Sequence, residues 1–147
     1  MDHDVATRAL ELFDSGFYCA ESVLLAMNEA VSSHTDAIPR IATGLCSGMA
    51  RTGGTCGAIS GAILGIGLVV GRDSAQGSVE PAYSQVRSLI ASFQERHGSI
   101  CCPELIECDL STQEGQRVFE QEHRIERCRD YVKDAARIAW DLASAAT

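Results

Sequence analysis

The sequence predicts an all-α fold, a compact helical bundle of about five to seven helices with a central glycine-rich helix. Three observations predict it. Apolar residues recur at intervals of three and four along most of the chain. No stretch reads as a convincing strand. Cap and breaker residues punctuate the periodic stretches.

In chain order, Val5, Ala9, Leu12 and Phe13 share one helical face and predict a first helix ending near Asp14, broken by Ser15-Gly16. A second helix starts near Cys19 and carries Cys19, Val23, Ala26, Met27 and Ala30 on its inward stripe. Ser32 to Pro39 is a polar connection. Ile41 to Met49 reads as a short helix interrupted by Gly44 and Gly48, followed by a glycine-containing turn over Arg51–Thr55. Thr55 is the expected N-cap of a helix running to about Val70. Along that helix Gly57, Gly61 and Gly65 fall four apart, so one face is nearly bare of side chains and lets another backbone approach closely. Each interior glycine costs about 1 kcal/mol relative to alanine, which close packing must offset. Arg72–Gly77 is a loop. Pro81 suits the first turn of a long helix with Val86, Leu89, Ile90 and Phe93 inside, stopped at His97-Gly98. Ser111-Thr112-Gln113-Glu114 is a capping box for a short helix. The last helix runs from about Ile125 to Ala143, with Cys128, Tyr131, Val132, Ala135, Ile138, Ala139 and Leu142 inward.

At 147 residues, with 46% hydrophobic and 22% charged residues, the chain suits one globular domain over residues 1–147. A net charge of −8 without a basic block excludes nucleic acid and anionic membrane surfaces as expected partners. The start, MDHDVATRALELF, has no basic segment followed by an apolar one, and the longest apolar run, Ala58–Gly71, falls short of the about 20 residues a spanning helix needs. The expectation is a cytoplasmic protein.

Seven cysteines, an odd number, argue against a structural disulfide framework there. Any single cysteine packs well as a small hydrophobe, and Cys46 and Cys101 are read that way. Five others form a pattern. Cys56 is expected in the first turn of the glycine helix, where about half a positive charge and free N–H groups would lower its pKa. Cys19 and Cys128 open apolar helical stripes, and Cys102 and Cys108 flank the short segment Pro103–Glu107. Together they could bring five sulfurs to one end of the bundle. No C-x-x-C, haem-attachment or phosphate-loop motif is present, and no nucleophile–base pair is visible. His3, His34, His97 and His123 are scattered, with His97 at its helix end the foremost. The acidic residues of the last third alternate with arginines, as on a solvated helix face.

Tyr18-Cys19-Ala20-Glu21-Ser22, GGTCGAISGAILGIGL from Gly53, GSICCPELIECDLSTQEG from Gly98, and Cys128 followed by Tyr131-Val132 carry a resemblance to the C_GCAxxG_C_C family of redox-active proteins, over about residues 5 to 140. The resemblance implies a small all-α redox domain whose cysteines fall here on Cys19, Cys56, Cys102, Cys108 and Cys128. A related domain in a split-Soret cytochrome c carries an iron–sulfur cluster, so the resemblance also implies that cofactor. Cys46, Cys101 and Pro103 depart from the family pattern; spacing to Leu105 and Cys108 favours Cys102 over Cys101. The leading expectation is an iron–sulfur redox or electron-transfer protein, with these five thiolates as ligands and a redox protein as partner. The alternatives are a metal-free thiol–disulfide protein, in which Cys56 attacks and Cys102 or Cys108 resolves, and a zinc-stabilised helical partner protein. The bare glycine face could also serve a homodimer.

Overall fold

The computed structural model describes residues 4–31 and 35–146; His3, His34 and the neighbouring Ser32 and Ser33 of the polar connection lie outside them. The described residues form eight α-helical segments and one 3-10 turn, and no strand. They are α1 (Val5–Asp14), α2 (Cys19–Ala30), a 3-10 turn (Arg40–Leu45), α3 (Cys46–Arg51), α4 (Gly57–Val70), α5 (Glu80–His97), α6 (Cys102–Ile106), α7 (Gln113–Gln121) and α8 (Ile125–Ala145). The all-α expectation holds, with slightly more helices than the periodicity predicts because α3 and α6 are too short to show a period.

Helix ends follow local chemistry. Asp4 accepts from the Ala6 amide to open α1, and the Glu21 carboxylate accepts from the Tyr18 amide at 3.0 Å to open α2. Gly98, in the left-handed region, closes α5, and Thr112 caps α7 by accepting from the Gly115 amide. Cys56, rather than Thr55, is the N-cap of α4. Thr55 is instead drawn into an isolated antiparallel bridge with Cys101.

α4 is the central helix, packed against α2, α5 and α8. Its glycine ladder faces α2. A Cβ on Gly57 would lie 2.3 Å from Cys19 Sγ, one on Gly61 2.5 Å from the Ala20 carbonyl oxygen, and one on Gly65 2.2 Å from Met27 Sδ. The bare face is therefore a seam within the chain, and a second copy would have to use another surface. The core around it is built from Val23, Met27, Ile59, Ile66, Leu89, Phe93, Val132 and Ala139, all without solvent exposure.

The expected helix over Ile41–Met49 is corrected. A 3-10 turn ends at Leu45, and the backbone then reverses hand: Ser47, Gly48, Met49, Ala50 and Arg51 all have φ between 57° and 66°. Left-handed backbone costs a non-glycine residue about 1–2 kcal/mol. Close approach explains it. A Cβ on Gly48 would stand 2.6 Å from Cys102 Cβ, and the Gly48 carbonyl accepts from the Gly54 amide at 2.9 Å, so the turn is fitted against α6. Ala50 is exposed in this turn. Ala50→Gly should stabilise the protein by about 1 kcal/mol in urea unfolding; destabilisation of that size, as in a right-handed helix, would show that the turn stores no such strain.

One acidic residue departs from the solvated face expected of α8. Asp134 is buried, and its carboxylate receives His97 Nε2 at 2.7 Å and Arg96 Nε at 3.1 Å. The His97 ring packs on Phe93 and edge-on against Tyr131, with centroids 4.5 Å and 5.0 Å apart. The group locks the end of α5 to α8. Asp134→Ala leaves a half-buried imidazole without its partner and should cost about 1–3 kcal/mol in chemical unfolding; a change below about 0.5 kcal/mol would mean that His97 stays satisfied by water.

Candidate metal centre

Four helices start at one place, and each brings a cysteine. Cys19 is the first residue of α2, Cys56 caps α4, Cys102 opens α6, and Cys128 sits in the first turn of α8. All four line a single cavity of about 550 Å³. Two backbone bonds set the spacing of the central pair: the Cys56 amide donates to the Ile100 carbonyl at 2.7 Å, and the Cys102 amide to the Gly54 carbonyl at 2.9 Å. In the intervening bridge successive side chains point to opposite sides. Of the vicinal pair, Cys102 thus reaches the cavity wall, and Cys101 is not among the lining residues.

The fifth expected sulfur, Cys108, is off the cavity wall, just beyond α6, but close enough to act electrostatically on Cys102 and Cys128. Cys46, read from sequence as plain packing, is buried and donates its thiol to the Ala42 carbonyl at 3.7 Å, yet it is near enough to the Cys19 sulfur to be influenced by it. Its neighbourhood is fixed by Glu21, whose carboxylate also accepts from the Thr43 hydroxyl at 2.8 Å, tying the 3-10 turn to the start of α2. Spacing could not reveal this pair, because the two sulfurs are 27 positions apart, with the rest of α2, the polar connection and the 3-10 turn between them.

The thiols are electrostatically different from the sequence expectation. Burial pushes Cys56 up to about 12, with the neighbouring Cys128 and Cys102 adding to it. The Ala58 and Ile59 amides at the start of α4 do favour its thiolate, as the helix dipole predicts, but desolvation outweighs them. Burial likewise raises Cys128 to about 12 and Cys102 to about 11. Cys108 is raised by burial and drawn back by Arg124 and Arg127. Cys46 is raised first by the nearby Cys19 thiol and then by burial. Without a metal these sulfurs are protonated at neutral pH, and protonated thiols are poor nucleophiles.

The remaining wall is apolar and aromatic: Phe13, Tyr18, Leu105, Leu110, Phe119, Ile125 and Tyr131, with Arg51, Gln116, Glu120 and His123. Tyr131 is held in place by donating its hydroxyl to the Leu105 carbonyl at 2.8 Å, and burial raises its pKa. His97, the histidine singled out from sequence, is absent from this wall and stands behind Tyr131 instead. His123 lines it without having been marked by any motif. None of Arg51, Gln116 or Phe119 carried a spacing signal either, whereas Tyr131 was expected on the inward stripe of the last helix.

Among the described residues, no three His, Cys, Asp or Glu side chains are grouped closely enough to hold one metal ion. A tetrahedral zinc site brings four sulfurs to about 2.3 Å from one centre, which this arrangement does not provide. Four cysteines line one cavity, and thiolate is a ligand that zinc and iron–sulfur groups both take. The apolar stretch Ala58–Val70 lies within α4, and no helix of the described residues is long and apolar enough to cross a membrane.

A family model described as "putative redox-active protein (C_GCAxxG_C_C)" matches residues 17–142. No curated protein and no solved structure matches.

Proposed function

The chain belongs to the C_GCAxxG_C_C family of redox-active proteins, and from that premise we propose that it holds an iron–sulfur cluster in the four-cysteine cavity and works in electron transfer. The observation that carries this reading is the convergence of Cys19, Cys56, Cys102 and Cys128, from four separate helix starts, on one cavity. When bound, such a group stores and releases single electrons. The chain's own part is to hold and screen it. α2, α4, α6 and α8 fix the four sulfurs, and Gly57 leaves the room that a side chain would take beside Cys19. The first amides of α4 offset negative charge on Cys56. Tyr131 and Leu105 shield one side from water. Cys108 stands beside the centre without ligating it, and Arg124 and Arg127 near it add positive charge that tunes the centre. A redox protein is the partner this role requires, and the cytoplasm the compartment that keeps the thiols reduced.

Iron and acid-labile sulfide analysis of anaerobically purified protein tests the proposal. Both elements, with broad visible absorbance bleached by reduction, are expected. Colourless protein with neither, even after anaerobic reconstitution, overturns it.

A second reading has one observation in its favour. The Cys46 thiol stands near that of Cys19, and the two would form the dithiol of a disulfide couple. In that reaction a partner disulfide is reduced to two thiols while Cys19 and Cys46 lose two protons and two electrons to form their own bond. Thiol titration across a series of dithiol/disulfide ratios distinguishes it: a pair that cycles reversibly in iron-free protein supports this reading.

A further inference from the structure

The sulfurs account for only one side of the cavity. The other side is roofed by α7, whose packing is unlike that of every other long helix. Only Gly115 of α7 is buried, and Gln116, Phe119 and Glu120 face the cavity rather than the core. The helix is anchored at its two ends. Before it, the Asp109–Thr112 turn is closed by the Thr112 amide and hydroxyl donating to the Asp109 carbonyl, and a Cβ on Gly115 would strike that same carbonyl. After it, Arg124 donates to the carbonyls of Ile106 and Glu107. Between these anchors Phe119, with Phe13, Leu110, Ile125 and Tyr131, lines an apolar hollow.

The rim of this hollow carries Arg51 and His123, both at positive φ, 66° and 52°. Non-glycine residues held there are strained, and such strain gathers where a side chain must be aimed. Arg51 is the last residue of the left-handed turn. Among the described residues its guanidinium has no carboxylate partner, although most other arginines have one. The hollow is the apolar part of the one cavity of about 550 Å³ that the cysteines also line, and small-molecule sites are mostly apolar with a few placed polar groups.

We propose that the hollow under α7 binds a small organic carboxylate, its aryl or alkyl body between Phe119, Leu110 and Phe13 and its carboxylate on Arg51. The guanidinium fork matches a carboxylate in two parallel bonds. The charge stays at the rim, and the apolar body fills the space under α7. This goes beyond the cluster reading and does not depend on it, since none of the ligand contacts is a sulfur.

The test is calorimetric titration of full-length, anaerobically purified protein with phenylacetate, its neutral isostere phenylacetamide, and the cation phenethylamine. Phenylacetate is expected to bind at least about tenfold tighter than the amide. Arg51→Gln, an exposed position at which the fold is not at risk, should bring the two to equal affinity, and Leu110→Trp should weaken both. Methyl NMR of Leu110 and Ile125 should shift with phenylacetate in the wild type. Equal affinity for acid and amide in the wild type, or an acid preference that survives Arg51→Gln, overturns the proposal. So does absence of all binding, and so does preference for the amine, which would assign the rim to Glu120. Iron content is measured on the same samples: protein with a cluster but no acid preference sinks this inference alone, and acid binding by iron-free protein sinks only the cluster.

Discussion

Serine in place of Cys56 is expected to strip the protein of iron and labile sulfide, while serine in place of Cys46 leaves both at wild-type levels. The two cysteines are almost equally buried, at 7% and 4% exposure, so burial alone does not separate them. Position does: Cys56 is on the cavity wall, and Cys46 is behind Cys19. A serine hydroxyl keeps nearly the volume of the thiol but is a hard, weakly acidic donor that soft iron–sulfur chemistry does not favour. The loss at Cys56, and equally at Cys19, Cys102 and Cys128, should exceed the about 10–100-fold that removal of an outer partner costs. Cys108→Ser should fall into the milder class, with iron retained and the reduction potential moved. Helical circular dichroism on each variant separates loss of cluster from loss of fold. Iron lost from Cys46→Ser as completely as from Cys56→Ser would place the ligand set on the wrong side of α2.

The second large effect is at the seam. Gly61→Ala ought to stabilise α4 by about 1 kcal/mol on helix propensity alone. The expected result is the opposite, a net loss of about 2 kcal/mol, because the new methyl would lie 2.5 Å from the Ala20 carbonyl oxygen and 2.9 Å from its Cα. Both are backbone and cannot swing aside, so α2 must be pushed away, and overpacking of this kind costs about 1–3 kcal/mol beyond the propensity gain. Gly67→Ala is the control: nothing lies within 4 Å of its Cβ, and the same substitution there should stabilise by about 1 kcal/mol. Urea unfolding of the pair gives the comparison. A stabilised Gly61→Ala would mean that α2 and α4 are not in backbone contact. Because Cys19 opens α2, Gly61→Ala should also reduce bound iron, which Gly67→Ala should not.

The reason that seam was legible in the sequence is geometric. Four-residue spacing of glycines has one cheap physical explanation, and the structure supplies it at Gly57, Gly61 and Gly65. Helix limits were legible for a similar reason, since Pro81, Gly98 and Thr112 act on their own neighbours. The left-handed turn was not. Ser47, Met49, Ala50 and Arg51 have no preference for positive φ, and what holds them is the approach of Gly48 to Cys102, more than fifty residues later in the chain. Asp134 was misjudged because charge alternation describes α8 alone, and the imidazole that receives it comes from α5. The protonation of Cys56 was misjudged for the complementary reason. A helix start can be read from sequence, but the depth at which it is buried depends on every element around it.

The Thr55–Cys101 bridge has a further consequence for how the chain can vary. It closes residues 55–101 into one loop of chain, pinned at its base by the two amide bonds that space Cys56 and Cys102. Everything needed to hold those sulfurs apart at the right distance is at the pinned end. The far end, the Arg72–Gly77 turn between α4 and α5, is exposed along most of its length and is braced from within, by Arg72 reaching the Ala75 and Gly77 carbonyls and by the Gly77 amide donating to the Ser74 carbonyl. Residues can be inserted at that tip, or an exposed tag or reporter domain grafted there, without lengthening the path between the two sulfurs. A single residue inserted between Ser99 and Cys102 would instead turn the wrong cysteine inward.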